Sequence, residues 1–310
     1  MKFLKIFLLF FIFNLTVFAN SVIFVKNIYP HEKKGFFNAL KKLLLGKRDL
    51  QAKPFAIGVL SNGDVVVSDV DKGMVLLLTA DGEIKKVVSR VGKIPLATPV
   101  SIWIDKKDNI YIVDSVRKGV LKFDKDLSSA RILIADNSKR FTSLCIVDNF
   151  MFLTDTENHK IACYSLEGKF IFSFGKRGIK EGEFNYPTAI STDGNFLFVL
   201  DSLNFRVQVF DLKGNFLRKF GKLGDGSGYF SKPKGIAVVN GKFIAVTDVV
   251  FDNVQLFDKT GNFLTFFGKN GDCEKCFVMP SGIFSQNGLI YICDRWNQRI
   301  SIWRVEAENE

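Results

Sequence analysis

Six short apolar runs along the chain each end in an aspartate. The runs are rich in branched and aromatic residues and are bounded by Gly, Asn and Asp turns, which is typical of short β-strands. Successive aspartates are 45, 41, 46, 47 and 46 positions apart. A repeat of roughly 40–50 residues with several strands is the signature of a β-propeller. The pattern predicts an all-β, six-bladed β-propeller whose strand-end aspartates are Asp69, Asp114, Asp155, Asp201, Asp248 and Asp294.

The fourth repeat shows the layout of one blade most clearly. It opens at Pro187, continues in the apolar run 196–201 and then reaches 206–211, where apolar and polar residues alternate. A Gly-Asn pair supplies the positive φ angles of a tight hairpin turn, and residues 216–221 form the outermost strand. Each repeat from 53 to 305 is therefore expected to be a blade of four antiparallel strands.

The sixth repeat is too short to complete its own blade. After Trp303 only seven residues remain, and 306–310 are expected to be a C-terminal tail. Residues 20–30 contain an apolar run of strand length that precedes the first repeat. Pairing this run with the last strand would close the ring and cover an exposed sheet edge. We therefore predict that residues 20–30 are the closing strand of blade six.

The N-terminal residues 1–19 have the features of a secretory signal peptide. Lys2 and Lys5 precede a short apolar stretch, and small residues occur before a cleavage point between Ala19 and Asn20. The alternative is an uncleaved membrane anchor, although the apolar run is short for a span of about 20 residues. The sequence predicts an exported protein that is periplasmic or extracellular.

Residues 31–52 connect the closing strand to the first blade. Within them, apolar residues of 33–46 recur at helical spacing among lysines, which predicts a short basic amphipathic helix. The fourth-to-first and second-to-third connections of all blades share one side of the disc, here called the top face, so the helix is expected there. Its apolar stripe either docks on the propeller or contacts a membrane surface or a partner groove.

The repeats resemble those of a known family. Pro-x-Gly-Ile, a strand ending in Asp, then Asn-x-Arg-Val-x-Val-Phe-Asp and Phe-Gly resemble the NHL repeat, most closely at 201–211 and 294–300. The resemblance covers about residues 53–305 and implies the propeller fold. NHL repeats occur in RNA-binding proteins, extracellular sensors, lyases and uncharacterised secreted bacterial proteins, and runs 24–30 and 251–257 look like the last branch.

Charge indicates what kind of partner to expect. The chain has a formal net charge of +11, and removal of Lys2 and Lys5 with the signal peptide leaves +9. A basic exported protein is expected to meet an acidic protein surface, an acidic envelope polymer or anionic lipid rather than nucleic acid. The alternative is a solvated basic surface without a partner. We expect the protein to act as a monomer.

The predicted top face collects basic and aromatic residues. Cations follow the Phe-Gly pairs of three connections, and aromatic residues and two arginines lie in the second-to-third loops. A basic and aromatic rim is a plausible recognition surface. The alternative for the two arginines is pairing with strand-end aspartates of adjoining blades. The candidate binding residues are Lys176, Arg177, Phe205, Arg206, Lys222, Phe251, Lys269, Trp296 and Arg299.

Residue types give little support for catalysis. The chain has only His31 and His159, which disfavours a zinc lyase or a Ser-His-Asp hydrolase, and no catalytic residue, metal or cofactor is predicted. Cys273 and Cys276 form a Cys-x-x-Cys pair that is expected to be a disulfide after export, and the alternative is a redox-active pair. The expected function is non-enzymatic: recognition of a protein or acidic polymer through the top face. The alternative is a hydrolase or lyase that uses the central funnel.

Overall fold

A computed structural model describes residues 21–32 and 51–306 and confirms the predicted fold class. Six four-stranded antiparallel sheets are arranged as blades around a central axis. Blades one to five contain β2–β5, β8–β11, β12–β15, β16–β19 and β20–β23, and blade six contains β24–β26 with β1. The strands are β1 (Ser21–Ile28), β2 (Ile57–Val59), β3 (Val65–Asp69), β4 (Met74–Leu78), β5 (Ile84–Val88), β6 (Arg90–Val91), β7 (Ile94–Pro95), β8 (Pro99–Ile104), β9 (Ile110–Asp114), β10 (Gly119–Phe123), β11 (Ala130–Ala135), β12 (Phe141–Val147), β13 (Phe150–Asp155), β14 (Lys160–Ser165), β15 (Phe170–Phe174), β16 (Pro187–Thr192), β17 (Phe196–Asp201), β18 (Arg206–Asp211), β19 (Phe216–Phe220), β20 (Pro233–Val239), β21 (Phe243–Asp248), β22 (Asn253–Asp258), β23 (Phe263–Phe267), β24 (Pro280–Gln286), β25 (Leu289–Asp294) and β26 (Arg299–Glu306).

The N-terminal strand closes the ring as predicted. Strand β1 pairs antiparallel with β26, with Val22 opposite Val305 and Ile28 opposite Ile300. The ring of Phe24 lies edge-on to that of Trp303, with centroids 5.3 Å apart. Because Trp303 is buried in the core between blades five and six, β1 contributes packing as well as ladder hydrogen bonds.

Several sequence predictions fall on residues outside the described ranges. These are the signal peptide with its cleavage point between Ala19 and Asn20, the amphipathic helix at 33–46 and the tail after 306. In the described ranges, the single helical element is a 3₁₀ turn at Ser202–Asn204, and no helix there is long and apolar enough to cross a bilayer.

The six strand-end aspartates organise the top of every blade. All are buried, and each carboxylate accepts a backbone N–H bond from the segment before the first strand of its blade. A second donor lies in the turn after the second strand: it is a backbone N–H in four blades and the side-chain amide of Asn204 or Asn297 in blades four and six. Asp69, for example, accepts from Lys53 N before the first strand and from Asp71 N and Lys72 N after the second, at 2.9, 3.0 and 3.1 Å. Each repeated aspartate thereby joins two loops of the top face, because a buried carboxylate needs such donors.

Three connections of the top face share one conformation. Residues 175–186, 221–232 and 268–279 lead into blades four, five and six, and each begins at a glycine with positive φ. A Cβ at Gly221 would overlap the fully buried ring of Phe230, and the equivalent glycine–phenylalanine pairs are Gly175–Phe184 and Gly268–Phe277. The phenylalanine is the anchor of each loop, and the glycine leaves room for it.

Candidate functional site: the top face and its funnel

The three matched loops are held by side chains of the blade they lead into. Gln208 donates from Nε2 to Glu183 O at 2.8 Å and accepts from Gly182 N at 3.0 Å. Gln255 makes the same two kinds of bond in the next blade, to Tyr229 O at 2.7 Å and from Gly228 N at 3.0 Å. These bonds fix the loops that carry the predicted rim cations.

Arg206 and Arg299 are buried parts of this support. Arg206 Nε lies 2.9 Å from Asp201 Oδ2, and its other nitrogens donate to the carbonyls of Ile179, Lys180 and Glu183. Arg299 Nε lies 2.7 Å from Asp294 Oδ2 and also binds the carbonyls of Cys273 and Cys276. Each pairs with the aspartate of its own blade, so the expected pairing with adjoining blades is wrong. Their guanidinium groups are turned into the protein, and they position the rim loops.

The four other predicted cations are exposed on the rim. Lys176, Arg177, Lys222 and Lys269 all lie in the matched loops. Lys176 Nζ is 3.4 Å from Glu183 Oε1, and Lys222 Nζ lies 4.2 Å from the ring centroid of Tyr229. Exposed contacts of this kind contribute little to stability, so the charges remain available to a ligand.

The predicted aromatic residues do not occupy equivalent positions. Phe205 is partly buried, with a left-handed φ of 54°, and packs against the core between blades four and five. Phe251 is also partly buried. Trp296 is 48% exposed, and Lys53 Nζ lies 4.2 Å from its ring centroid. Among the three, Trp296 is the aromatic residue with a large accessible surface.

A set of exposed apolar residues lies beside the rim and was not identified from the sequence. Four turns carry an apolar residue two positions after the strand-end aspartate: Val116, Leu203, Val250 and Trp296, which are 61, 51, 55 and 48% exposed. The loop residues Ile179 and Leu223 are 76 and 62% exposed. The fixed offset from the aspartate could have revealed the first four.

The central funnel opens at the middle of the top face and holds a cavity of about 310 Å³. Six equivalent positions, each at or just before the start of a first strand, surround its mouth, and sequence reasoning did not single them out. They are Phe55, Val100, Thr142, Thr188, Lys234 and Ser281. Arg140, which directly precedes β12, also lines the cavity. The funnel therefore contains two cations in addition to its hydroxyl and apolar side chains.

Lys234 has an unusual electrostatic environment. It is partly buried, and its Nζ lies 5.1 Å from the ring centroid of Phe55. Burial lowers the pKa of Lys234, and the neighbouring cations Lys232 and Arg295 lower it further. The carboxylate of Asp71 is already engaged, at 2.6 Å from Arg295 and 3.7 Å from Lys53. Within the described residues, Lys234 forms no ion pair.

Hydroxyl groups link the blades around the funnel. Thr142 Oγ1 is 2.6 Å from Thr156 Oγ1 and donates to Thr188 O at 3.1 Å, while Thr156 Oγ1 donates to Pro187 O at 2.8 Å. Arg140 of blade three also reaches blade two, because its Nε donates to Ser115 Oγ at 3.3 Å. The wall combines these hydroxyls with apolar side chains such as Ile102 and Ile236.

The described part of the funnel lacks the groups that usually carry catalysis. Its lining residues include no Asp, Glu, His or Cys. Across 21–32 and 51–306, no three such side chains come close enough to hold a metal ion. His159 is buried in the turn after β13, where its Nδ1 accepts from Tyr186 N at 3.1 Å. Cys273 and Cys276 are disulfide-bonded in the loop before blade six.

Comparison with known proteins supports the fold class. No family model and no curated protein matches the chain. Among solved structures, an auxiliary nutrient binding protein from Bacteroides thetaiotaomicron is 13% identical over 92% of this chain and 76% of that chain, with a TM-score of 0.65. A gluconolactonase from Xanthomonas campestris is 14% identical over 91% and 98%, with a TM-score of 0.63. Virginiamycin B lyase from Staphylococcus aureus is 14% identical over 83% and 96%, with a TM-score of 0.60.

At such identities these similarities show the fold alone, because propellers support unrelated activities. The chain is a six-bladed β-propeller protein with a central funnel.

Proposed function

We propose that the protein is an exported, non-enzymatic binding protein of the NHL-propeller type that recognises an acidic ligand through its top face. The observation that carries the proposal is the distribution of charge at the funnel. Arg140 and Lys234 line a cavity that has no acidic residue among its described lining, and four exposed cations lie in the matched loops that lead into blades four, five and six. Such a surface attracts anions and focuses their approach.

Export rests on the predicted signal peptide, and it directs the proposal toward acidic proteins or envelope polymers rather than nucleic acid. The surface also has the apolar component that recognition requires. Leu203, Val250 and Trp296 lie on the same face as the rim cations, and buried aromatic and apolar contacts usually supply most of the binding energy. The matched loops are fixed by internal hydrogen bonds, so little conformational entropy is lost when a ligand binds them.

The enzyme alternative is a hydrolase or lyase with an active site in the funnel. Two of the structural neighbours are a lyase and a gluconolactonase by name. However, the described lining residues include no general acid or base of the carboxylate, histidine or cysteine type. This composition favours binding over catalysis.

Polygalacturonate is a suitable defined probe, with neutral dextran of similar length as the control polymer. We expect the mature protein to bind polygalacturonate and not dextran. Added salt should weaken binding, because exposed charges are screened over about 8–10 Å near physiological ionic strength. Binding of both polymers, or of neither, would contradict recognition of an acidic polymer.

A variant that neutralises the rim tests whether the top face is responsible. The combination K176Q/R177Q/K222Q/K269Q should weaken polygalacturonate binding strongly and leave the melting temperature nearly unchanged, since exposed substitutions usually alter stability by less than about 0.5 kcal/mol each. The control is K213Q/K242Q, which removes two exposed lysines from turns on the opposite face. Lys259 is unsuitable for the control because it pairs with Asp193 at 2.5 Å. Equal loss in both variants would place the binding elsewhere.

A further inference from the structure

We propose that the funnel is a pocket for a hydroxylated organic carboxylate of monosaccharide size, such as a uronic acid, whose carboxylate binds Arg140 and Lys234. The inference rests on the proposed function and names the ligand class of its central pocket. In this assignment the two funnel side chains bind the carboxylate of a single small ligand, which the exposed rim cations do not.

The size of the cavity limits the ligand. Its volume of about 310 Å³ is near the lower end of the range of roughly 300–1,000 Å³ for small-molecule sites. A folded protein surface or a polymer helix cannot enter such a space, whereas one sugar unit or one chain end can. The rim and the funnel can therefore bind different parts of the same acidic polymer.

The charges indicate a carboxylate. Arg140 comes from blade three and Lys234 from blade five, so they approach the funnel from two sides of blade four. Arginine offers a planar fork that matches a carboxylate, and lysine adds a point charge. Lys234 is held near Lys232 and Arg295 without an ion pair among the described residues, an arrangement that an anionic ligand would neutralise.

The remaining wall indicates a ligand with hydroxyl groups. Going around the mouth, Phe55 and Val100 are followed by Thr142 and Thr188, and Ser281 lies between Lys234 and Phe55. Each hydroxyl oxygen has two lone pairs, so those engaged with the protein can still accept a hydrogen bond from a ligand. A bare inorganic anion would leave the apolar wall unused, and a fatty acid would leave the hydroxyls unused.

The competing explanation is that Lys234 is a structural residue that packs over Phe55. The two roles predict opposite effects on stability. A cation that is partly buried among like charges destabilises the unliganded protein, so K234M should keep or raise the melting temperature. If Lys234 serves the fold through its contact with Phe55, K234M should lower it.

Isothermal titration of the mature protein with galacturonate tests the ligand class, with galactose as a probe of similar size without the carboxylate. We expect galacturonate to bind measurably tighter than galactose. R140Q and K234M should each weaken galacturonate binding roughly tenfold or more, because a hydrogen bond to a charged group contributes about 1.5–3 kcal/mol. The control K242Q should bind as the unsubstituted protein does. Equal affinity for the two sugars, no binding of galacturonate, or no effect of either funnel variant would overturn the proposal.

The dependence on pH adds a readout specific to Lys234. Galacturonate affinity should fall as pH rises, starting below the ordinary lysine pKa of 10.5, because burial, Lys232 and Arg295 lower the pKa of Lys234. Arg140 lines the same cavity. K234M should remove the fall, and a persistent fall in that variant would contradict the assignment.

Failure of this inference is distinguishable from failure of the proposed function. If the rim variant loses polygalacturonate and retains galacturonate, both sites act as proposed. If polygalacturonate binds normally to R140Q and K234M and galacturonate does not bind the unsubstituted protein, the rim alone recognises the polymer and the funnel assignment is wrong.

Discussion

Blades one to three and blades four to six are built from the same strands but differ on the top face. Three loops of equal length lead into blades four, five and six, each with a glycine against a buried phenylalanine. The connections into blades two and three are different: 89–98 contains the small hairpin β6–β7, and 136–140 is a short turn. The connections into blades two and three thus lack the matched loop, while those into blades four to six carry the exposed cations of the rim.

One position of the repeat differs between the two halves: the residue five positions after the strand-end aspartate. In blades four and six, the residue five positions after the strand-end aspartate is a buried arginine that binds the preceding loop, Arg206 or Arg299. In blade three the same position is Lys160, which is exposed. In blade five the same position is Asn253, and Gln255 holds the preceding loop instead. The buried arginines therefore belong to loop support, and the ligand-facing cations occupy other positions.

The largest expected effect comes from removing the strand that joins the two halves. Deleting residues 20–29 from the mature protein leaves β26 as an exposed edge and uncovers Trp303, so the ring should open. We expect aggregation, or a melting temperature lowered by many degrees, measured by circular dichroism and light scattering. A truncated protein that melts like the intact one would show that closure by β1 is dispensable.

The next largest effect should come from the buried arginines. R206A leaves the fully buried carboxylate of Asp201 without its ion pair, which typically costs about 3–5 kcal/mol. Burial already raises the pKa of Asp201 despite the bonds it accepts. The matched variant in the other half is K160A, for which we expect a change below about 0.5 kcal/mol. Equal free energies of unfolding for the two variants, measured in urea, would remove the distinction between the halves.

A smaller effect is expected at the loop glycines. G221A places a methyl group into the ring of Phe230 at a φ of 83°, so overpacking of roughly 1–3 kcal/mol adds to the backbone penalty. Gly92, in the connection into blade two, has a φ of 57° and open space around it. G92A should therefore show only the left-handed penalty of about 1–2 kcal/mol. Chemical denaturation of the two alanine variants compares them directly, and an equal cost would argue that the phenylalanine anchors do not constrain the loops.

The smallest effect concerns His159, where the two halves meet. Burial lowers the pKa of His159 below 6.5, and repulsion from Arg177 adds to the shift. The native state therefore binds a proton less readily than the unfolded state, and stability should fall as pH drops through the ordinary histidine range. H159N should reduce this dependence because it removes the imidazole. Asparagine is the chosen replacement because it tolerates the left-handed backbone at φ 55°. R177Q should weaken it partly. The comparison requires melting temperatures from pH 8 to 5, and an unchanged slope in H159N would assign the effect to another group.

Much of this architecture could be predicted from residue spacing. The strand-end aspartates, the hairpin glycines and the short sixth repeat indicated six blades and a closing N-terminal strand, because each blade uses the same local rules of turn and strand formation. The cations after each Phe-Gly pair were also recognisable, since they recur at a fixed place in the repeat. The number of blades, the closing strand and the positions of these cations therefore follow from the spacing of residues along the chain.

The funnel was decided by the tertiary structure. Thr188 and Lys234 occupy the same place in two repeats, yet one is a neutral hydroxyl and the other a cation, and no local pattern distinguishes a mouth residue from any other strand residue. Ring closure brings six such positions, about 46 residues apart by the repeat period, around one cavity. It also determines that Arg206 turns inward to Asp201 while Arg140 lines the funnel, because burial depends on which loop covers each side chain.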